Sequence, residues 1–362
     1  MSLMQNMGVR ALRLGIPLRV QVDLTYRCNE RCVHCYLDHE DHGEMSTAEI
    51  KRVLDQLAEA GTFFLSISGG EIFMRRDLFE ILEHARSRQF SIQLKTNAVM
   101  IRAAKAKRLA SLGIEKVQIS LYSHIAETHD AITKLPGSFK RTVEGARLLQ
   151  EAGLQVSFAN VLMADNAEHY QGVQALAAQM GMGYTVDATI TPMMDGDRST
   201  LALNMDDAHR ARVFQDRSLL GDQADNLLAA PTGPRAMEEA YKTLPCSAGH
   251  TACYVSPYGD VYPCVQFPYK VGNVREQSFA DIWRDSPQLN EVRAIRVSDL
   301  EGCSSCTHGS SCSRCPGLAY LEGNMRGPSI QDCEKSFART GVASRNLQRK
   351  RSRAIPLAMT PN

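Results

Sequence analysis

Cys28-Asn29-Glu30-Arg31-Cys32-Val33-His34-Cys35-Tyr36 is the stretch around which the rest of the chain is arranged. Its three thiols stand in C-x3-C-x2-C spacing, directly after Val20-Gln21-Val22-Asp23-Leu24, whose apolar alternation reads as a strand. Thiolates this close can hold three corners of a four-iron cluster, because soft sulfur suits iron–sulfur clusters as well as zinc. Three protein ligands leave one metal position open, and an open position distinguishes a reactive metal from a structural one. Zinc with a fourth ligand elsewhere competes with iron here, and these residues alone do not choose between them.

Outward from the loop, the chain alternates. Ser46 followed by Glu49 has the form of a capping box, and Ile50, Val53, Leu54 and Leu57 recur at helical spacing until Gly61. A strand over 63–67 runs into Ser68-Gly69-Gly70-Glu71. Helices over 77–88, 102–112, 138–152 and 167–180 then alternate with strands over 91–95, 116–121, 155–161 and 184–187. Such a pattern predicts an α/β fold of parallel strands with right-handed crossovers. Six β–α units are too few to close an eight-stranded barrel, so the expected fold is an open, partial (β/α)6 TIM-like barrel. Active sites in such barrels lie at the C-terminal ends of the strands. The cysteine loop follows the first strand and Gly69-Gly70-Glu71 the second, which puts both on one rim.

The cysteine spacing, the strand before it, the aromatic Tyr36 after it and Gly69-Gly70-Glu71 one unit later resemble the radical S-adenosylmethionine enzymes. The resemblance implies a 4Fe–4S cluster on Cys28, Cys32 and Cys35, with S-adenosylmethionine on the fourth iron and reductive cleavage to a 5′-deoxyadenosyl radical. It implies that Gly69, Gly70 and Glu71 receive the amino group of S-adenosylmethionine. Tyr36 is its aromatic position, and Asn97 and Ser120, at the ends of the third and fourth strands, are candidates for ribose or carboxylate contacts. Asn and Ser at strand ends are also ordinary turn residues. Relatives often carry an arginine shortly after a His-Asp pair in the fourth loop. Here His129-Asp130 leads to Lys134, which is left out of the site.

Eight of the eleven cysteines fall in the last third: Cys246, Cys253, Cys264, Cys303, Cys306, Cys312, Cys315 and Cys333. Pro257-Tyr258-Gly259 between two short apolar runs is a hairpin signal. The C-x2-C-x5-C-x2-C run from Cys303 to Cys315 suits a metal knuckle, with zinc and iron equal on spacing alone. Eight thiols supply two complete four-cysteine sites. The region resembles the SPASM extension of the same family, with Gly259-x4-Cys264 and the late Cys333. That resemblance implies two auxiliary 4Fe–4S clusters, one on Cys246, Cys253, Cys264 and Cys315, the other on Cys303, Cys306, Cys312 and Cys333. Cys312 and Cys315 are two residues apart where the family usually has three.

Charges nearly cancel, 41 basic against 40 acidic, which gives no electrostatic case for nucleic acid or membrane binding. No run is long and apolar enough for a bilayer or a signal peptide. Many cysteines without a secretion signal point to a reducing cytoplasm. The expected segments are an arm (1–17), the barrel (18–190), a linker or lid (191–244), the SPASM domain (245–337) and a basic, solvated, frayed tail (338–362). Asp195-Gly196-Asp197 and Pro231-Thr232-Gly233-Pro234 mark turns within the linker. The resemblance further implies an enzyme that modifies a peptide or small protein, as in maturation of ribosomally made peptides, served by a reducing partner such as flavodoxin or ferredoxin. Sulfatase-type formylglycine formation is disfavoured, because Val265 stands where those enzymes place an aspartate after the Gly-x4-Cys motif. One alternative is modification of a tetrapyrrole or haem precursor. Another is a non-catalytic iron–sulfur carrier or zinc scaffold, against which Gly69-Gly70-Glu71 speaks, since a carrier needs no S-adenosylmethionine pocket.

Overall fold

The alternating apolar positions become six parallel strands, β1 (Arg19–Asp23), β2 (Phe64–Ser68), β3 (Ser91–Thr96), β4 (Lys116–Ser120), β5 (Gln155–Val161) and β6 (Gly183–Asp187). In this computed structural model the described residues are 3–194, 196–231, 233, 244–309 and 311–354. Turn residues Asp195, Thr232 and Pro234 of the expected linker lie outside them. The helices are α1 (Leu3–Leu14), α2 (Thr47–Glu59), α3 (Leu78–Ser87), α4 (Ala103–Ser111), α5 (Ala126–Thr133), α6 (Ser138–Glu151) and α7 (Tyr170–Gln179). The capping box forms as read: Ser46 accepts from the Glu49 N–H and the Glu49 carboxylate from the Ser46 N–H.

One face of the sheet is apolar. Val20 and Val22, Leu65 and Ile67, Ile92 and Leu94, Val117 and Ile119, and Val156 and Phe158 pack against helix residues such as Leu54, Leu57, Ile81, Leu82, Leu109 and Leu149. Fully burying side chains of this size stabilises by about 1.5–3 kcal/mol each. The opposite face carries the intervening residues, among them the polar Gln21, Ser66, Gln93, Lys95 and Gln118.

The sheet does not stop at β1. A strand β7 (Ala252–Val255) pairs parallel with β1, and β8 (Asp260–Tyr262) and β9 (Gly272–Asn273) follow antiparallel, giving the order β6-β5-β4-β3-β2-β1-β7-β8-β9. The hairpin turns through Gly259 at φ +85°, which only glycine adopts cheaply. The expected break at 245 is therefore not where the compact units divide. The first unit comprises Met1–Met205 and Ser247–Ala294, the second Asp206–Cys246 and Ile295–Asn362. Main-chain pairing to β1, the Met45 N–H on the Pro257 carbonyl (2.7 Å) and Arg275 on Glu49 (2.9 Å) hold the hairpin region to the first unit.

In the second unit, helices Asp207–Gln215 and Ile330–Thr340 pack together, with Gln215 Nε2 donating to the Ala338 carbonyl at 2.7 Å. Ser329 caps the second of these helices and Gly341, at φ +69°, ends it. No helix among the described residues is long and apolar enough to cross a membrane.

Candidate active site

The two rim loops that the motifs predict lie backbone against backbone. The Gly70 N–H donates to the Thr25 carbonyl (2.8 Å) and the Glu71 N–H to that of Arg27 (3.0 Å). A Cβ on Gly69, at φ +143°, would lie 2.3 Å from the Thr25 oxygen, and one on Gly70 2.6 Å from the oxygens of both Tyr26 and Arg27. Side chains are therefore impossible there, and the glycines serve first to dock the second loop on the cysteine loop. From the other side the Arg31 and Val33 N–H groups donate to the Thr133 and Ile132 carbonyls at the end of α5, each at 3.0 Å. The thiol loop is clamped between two elements.

The Glu71 carboxylate, expected to receive the amino group, already has protein donors. It is fully buried, and its oxygens accept from the Phe73 N–H (3.0 Å), the Asn97 N–H (2.8 Å) and the Thr96 hydroxyl (2.8 Å). Burial pushes its pKa up, opposed by those donors. Its role is to fasten the end of β3 to the loop after β2, which places Asn97. The Asn97 amide then donates to Asn29 Oδ1 (2.8 Å) and sits 3.9 Å from Cys28 Sγ. Ser120 hydrogen-bonds the Tyr122 hydroxyl, itself 4.0 Å from Cys32 Sγ. Tyr36 is half-buried, its carbonyl accepting from the Met194 N–H at 3.0 Å.

Buried polar atoms without a partner gather on this loop: Asn29 Nδ2, Glu30 Oε1 and His34 Nδ1. Burial raises the Glu30 carboxyl to about 7 and the Cys28 thiol to about 12, and depresses His34 to about 4. Soft thiols that are neutral when empty bind metal by giving up their protons. Three of them on one short loop, ringed by unsatisfied polar groups, fit a cluster with one open iron. Sequence reading missed the neighbours Glu30, Tyr122 and Arg141. Arg141, in the first turn of α6, lines a cavity with Asn29, Val99 and Arg102 and acts electrostatically on Glu30. No spacing rule relates it to the cysteines.

The polar face of the sheet follows from the register. Gln21, Ser66 and Gln93 align, as do Lys95 and Gln118, and all are half-buried. Lys95 Nζ donates to Gln21 Oε1 (2.8 Å), and Gln21 Nε2 donates to Asp23 Oδ1 (3.0 Å). The Tyr254 hydroxyl donates to Asp23 Oδ2 (3.0 Å) and pairs with that of Tyr26 (2.8 Å). Burial raises Asp23 to about 6.

In the second unit Cys303, Cys306, Cys312 and Cys333 line one cavity, the four thiols expected to share an auxiliary cluster. Among the described residues no three His, Cys, Asp or Glu groups converge where one ion could bind them all. The tail, expected to be solvated, contributes to this cavity instead. Ser344 and Asn346 line it, and Asn346 Nδ2 donates to the Gly302 carbonyl (3.0 Å) and lies 4.0 Å from Cys303 Sγ. Of the other expected set, Cys253 neighbours Cys264 in the first unit and Cys315 neighbours Cys246 in the second.

Residues 22–176 match the family profile of the Radical SAM superfamily, and residues 246–316 that of SPASM, an iron–sulfur cluster-binding domain. The chain is a radical SAM enzyme with a SPASM domain. This radical SAM chain is 29% identical to the mycofactocin maturase MftC of Mycobacterium tuberculosis, over 96% of its own length and 93% of the relative's. It is 28% identical to the AdoMet-dependent heme synthase of Methanosarcina barkeri, over 84% and 92%. Among solved structures, SuiB of Streptococcus suis bound to the precursor peptide SuiA matches at a TM-score of 0.70 and 19% identity, over 90% of this chain and 78% of that one. At that identity the likeness establishes the fold, the partial barrel expected from the alternation.

Proposed function

We propose that this enzyme modifies a side chain of a peptide or small protein. Cys28, Cys32 and Cys35 would hold a four-iron cluster which, with S-adenosylmethionine bound, would supply the 5′-deoxyadenosyl radical for taking hydrogen from an unreactive C–H bond. The chain's own residues do the rest. Asn97, Ser120 and the Gly69-Gly70 backbone position S-adenosylmethionine, Glu71 and Thr96 hold that backbone in place, and the clamp on the cysteine loop fixes where the thiols stand. In the second unit Cys303, Cys306, Cys312 and Cys333 would hold an auxiliary 4Fe–4S cluster. Four protein thiolates on such a cluster would suit it to electron transfer, with flavodoxin or ferredoxin as the reductant.

The observation that carries the peptide reading is the polar face of the sheet. Gln21, Ser66, Gln93 and Gln118 offer amides and a hydroxyl in rows, which suit the main chain of an extended peptide. At the sheet edge, β6 provides a strand for further main-chain pairing. MftC, a maturase by name, supports the same class. A tetrapyrrole would need a wide apolar slot. That second reading is kept because relatives named as heme synthases match most of the chain. Incubating the reduced enzyme and S-adenosylmethionine with peptides encoded near its gene, and separately with a porphyrin carboxylate, decides by mass spectrometry. A peptide mass loss of about two hydrogens, or of a fragment, supports the proposal. Turnover of the porphyrin alone replaces it with the second reading.

A further inference from the structure

We propose that Lys95 is an anion anchor inside the barrel, holding a carboxylate of the substrate; this rests on the polar sheet face being the substrate's surface. Three cations stand on that face of β1 to β4. Arg19 and Lys116 are the first residues of their strands, at the end away from the cysteine loop. Lys95 is at the other end. It immediately precedes Thr96, which holds Glu71, and Asn97, whose amide lies 3.9 Å from Cys28 Sγ. It also acts electrostatically on the Cys264 thiol. A carboxylate on Lys95 would lie where a substrate has to be.

The bonding around Lys95 is lopsided. Its nearest acid, Asp23, is fully buried and accepts from Gln21, Tyr254 and Ser68, three neutral donors. Gln21 lies between acid and base, and among the described residues Lys95 makes no ion pair with Asp23 or any other acid. The ammonium has three N–H groups and uses one, on Gln21 Oε1 at 2.8 Å. Offsetting Asp23 through Gln21 would explain one positive charge on this face, but it leaves two donors of a half-buried ammonium unused. Such a group is completed by an anion, and a carboxylate gains a charge-assisted hydrogen bond, roughly twice as strong as a neutral one. Gln118, in register with Lys95, adds an amide beside it. The class of ligand is a carboxylate, from a peptide C-terminus, an acidic side chain or the rim of a tetrapyrrole.

The test uses reconstituted enzyme with S-adenosylmethionine and equilibrium dialysis. The probes are a hexapeptide pool with free C-termini, the same pool as carboxamides, a peptide pair with glutamate or glutamine side chains, and a porphyrin carboxylate with its methyl ester. Wild type is expected to bind one charged form at least about tenfold more tightly than its neutral partner. Lys95→Met should abolish that preference and Lys95→Arg keep most of it, with both variants matching wild type in iron content and melting temperature. Whichever pair shows the preference names the source of the carboxylate. Equal affinity for charged and neutral forms, no binding of either, or a preference that survives in Lys95→Met overturns the inference. A variant that melts lower or loads less iron also overturns it, and assigns Lys95 to offsetting Asp23. Release of 5′-deoxyadenosine by wild type, measured alongside, tests the proposed function independently.

Discussion

Replacing Glu71 separates a residue that holds the fold from one that holds a ligand. Glu71→Ala leaves two buried backbone N–H groups, of Phe73 and Asn97, and the Thr96 hydroxyl without their acceptor. An orphaned buried donor costs about 1–3 kcal/mol, and the hydroxyl can turn elsewhere, so the loss is on the order of 3–5 kcal/mol. For a unit of this size that lowers the melting temperature by roughly 6–15 °C. Glu71→Gln keeps one acceptor oxygen but turns an NH2 toward a donor, and should lie between wild type and Glu71→Ala. The assay is anaerobic thermal melting of the metal-free chain, followed by S-adenosylmethionine affinity of the reconstituted one. Melting and affinity should fall together. Unchanged melting with lost affinity would refute the reasoning and return the carboxylate to the ligand.

Other consequences follow from the same geometry. Gly70→Ala forces a Cβ to within 2.6 Å of two backbone oxygens and should leave little folded chain, whereas Gly8→Ala in α1, with nothing within 4 Å, should raise stability by about 0.5–1 kcal/mol. Truncation after residue 343 removes Ser344 and Asn346 from the thiol cavity and should cut iron by one cluster, about four irons per chain by iron analysis, while N-terminal cluster absorption remains. Asp23, raised by burial from 3.8 to about 6, binds more protons folded than unfolded between those values. Its contribution is therefore full below the unfolded pKa and is lost as pH rises through the folded one. Wild type should lose roughly 1.4 kcal/mol relative to Asp23→Asn between about pH 5 and 7.5 in denaturant melts.

Much of the barrel was legible because each strand and helix carries its own period. Ile50, Val53, Leu54 and Leu57 announce α2 whatever their partners are. Helix α5 was not read, since Ala126–Thr133 has only weak amphipathic spacing and ends at Lys134 in the left-handed region, without glycine. The pairing of β7 with β1 joins residues more than 200 positions apart, and nothing local in Ala252–Val255 names its neighbour. The two cysteine-bearing domains were visible because metal chemistry demands thiols in number. The state of Glu71 was not visible, because two of its donors come from β3 and the loop after it. Nor was the role of the tail: Arg345, Lys350 and their basic neighbours suggest a solvated helix, while Ser344 and Asn346 at its start carry no sequence signal for a thiol cavity.

The most direct test of the account is whether the cysteine loop cleaves S-adenosylmethionine. Reconstituted, dithionite-reduced enzyme is mixed with S-adenosylmethionine, and 5′-deoxyadenosine is measured by liquid chromatography and mass spectrometry. The account predicts 5′-deoxyadenosine from wild type and none from the chain with Cys28, Cys32 and Cys35 all changed to alanine, which should still hold about eight irons. No 5′-deoxyadenosine from an iron-loaded wild type, or equal amounts from the triple variant, would contradict it.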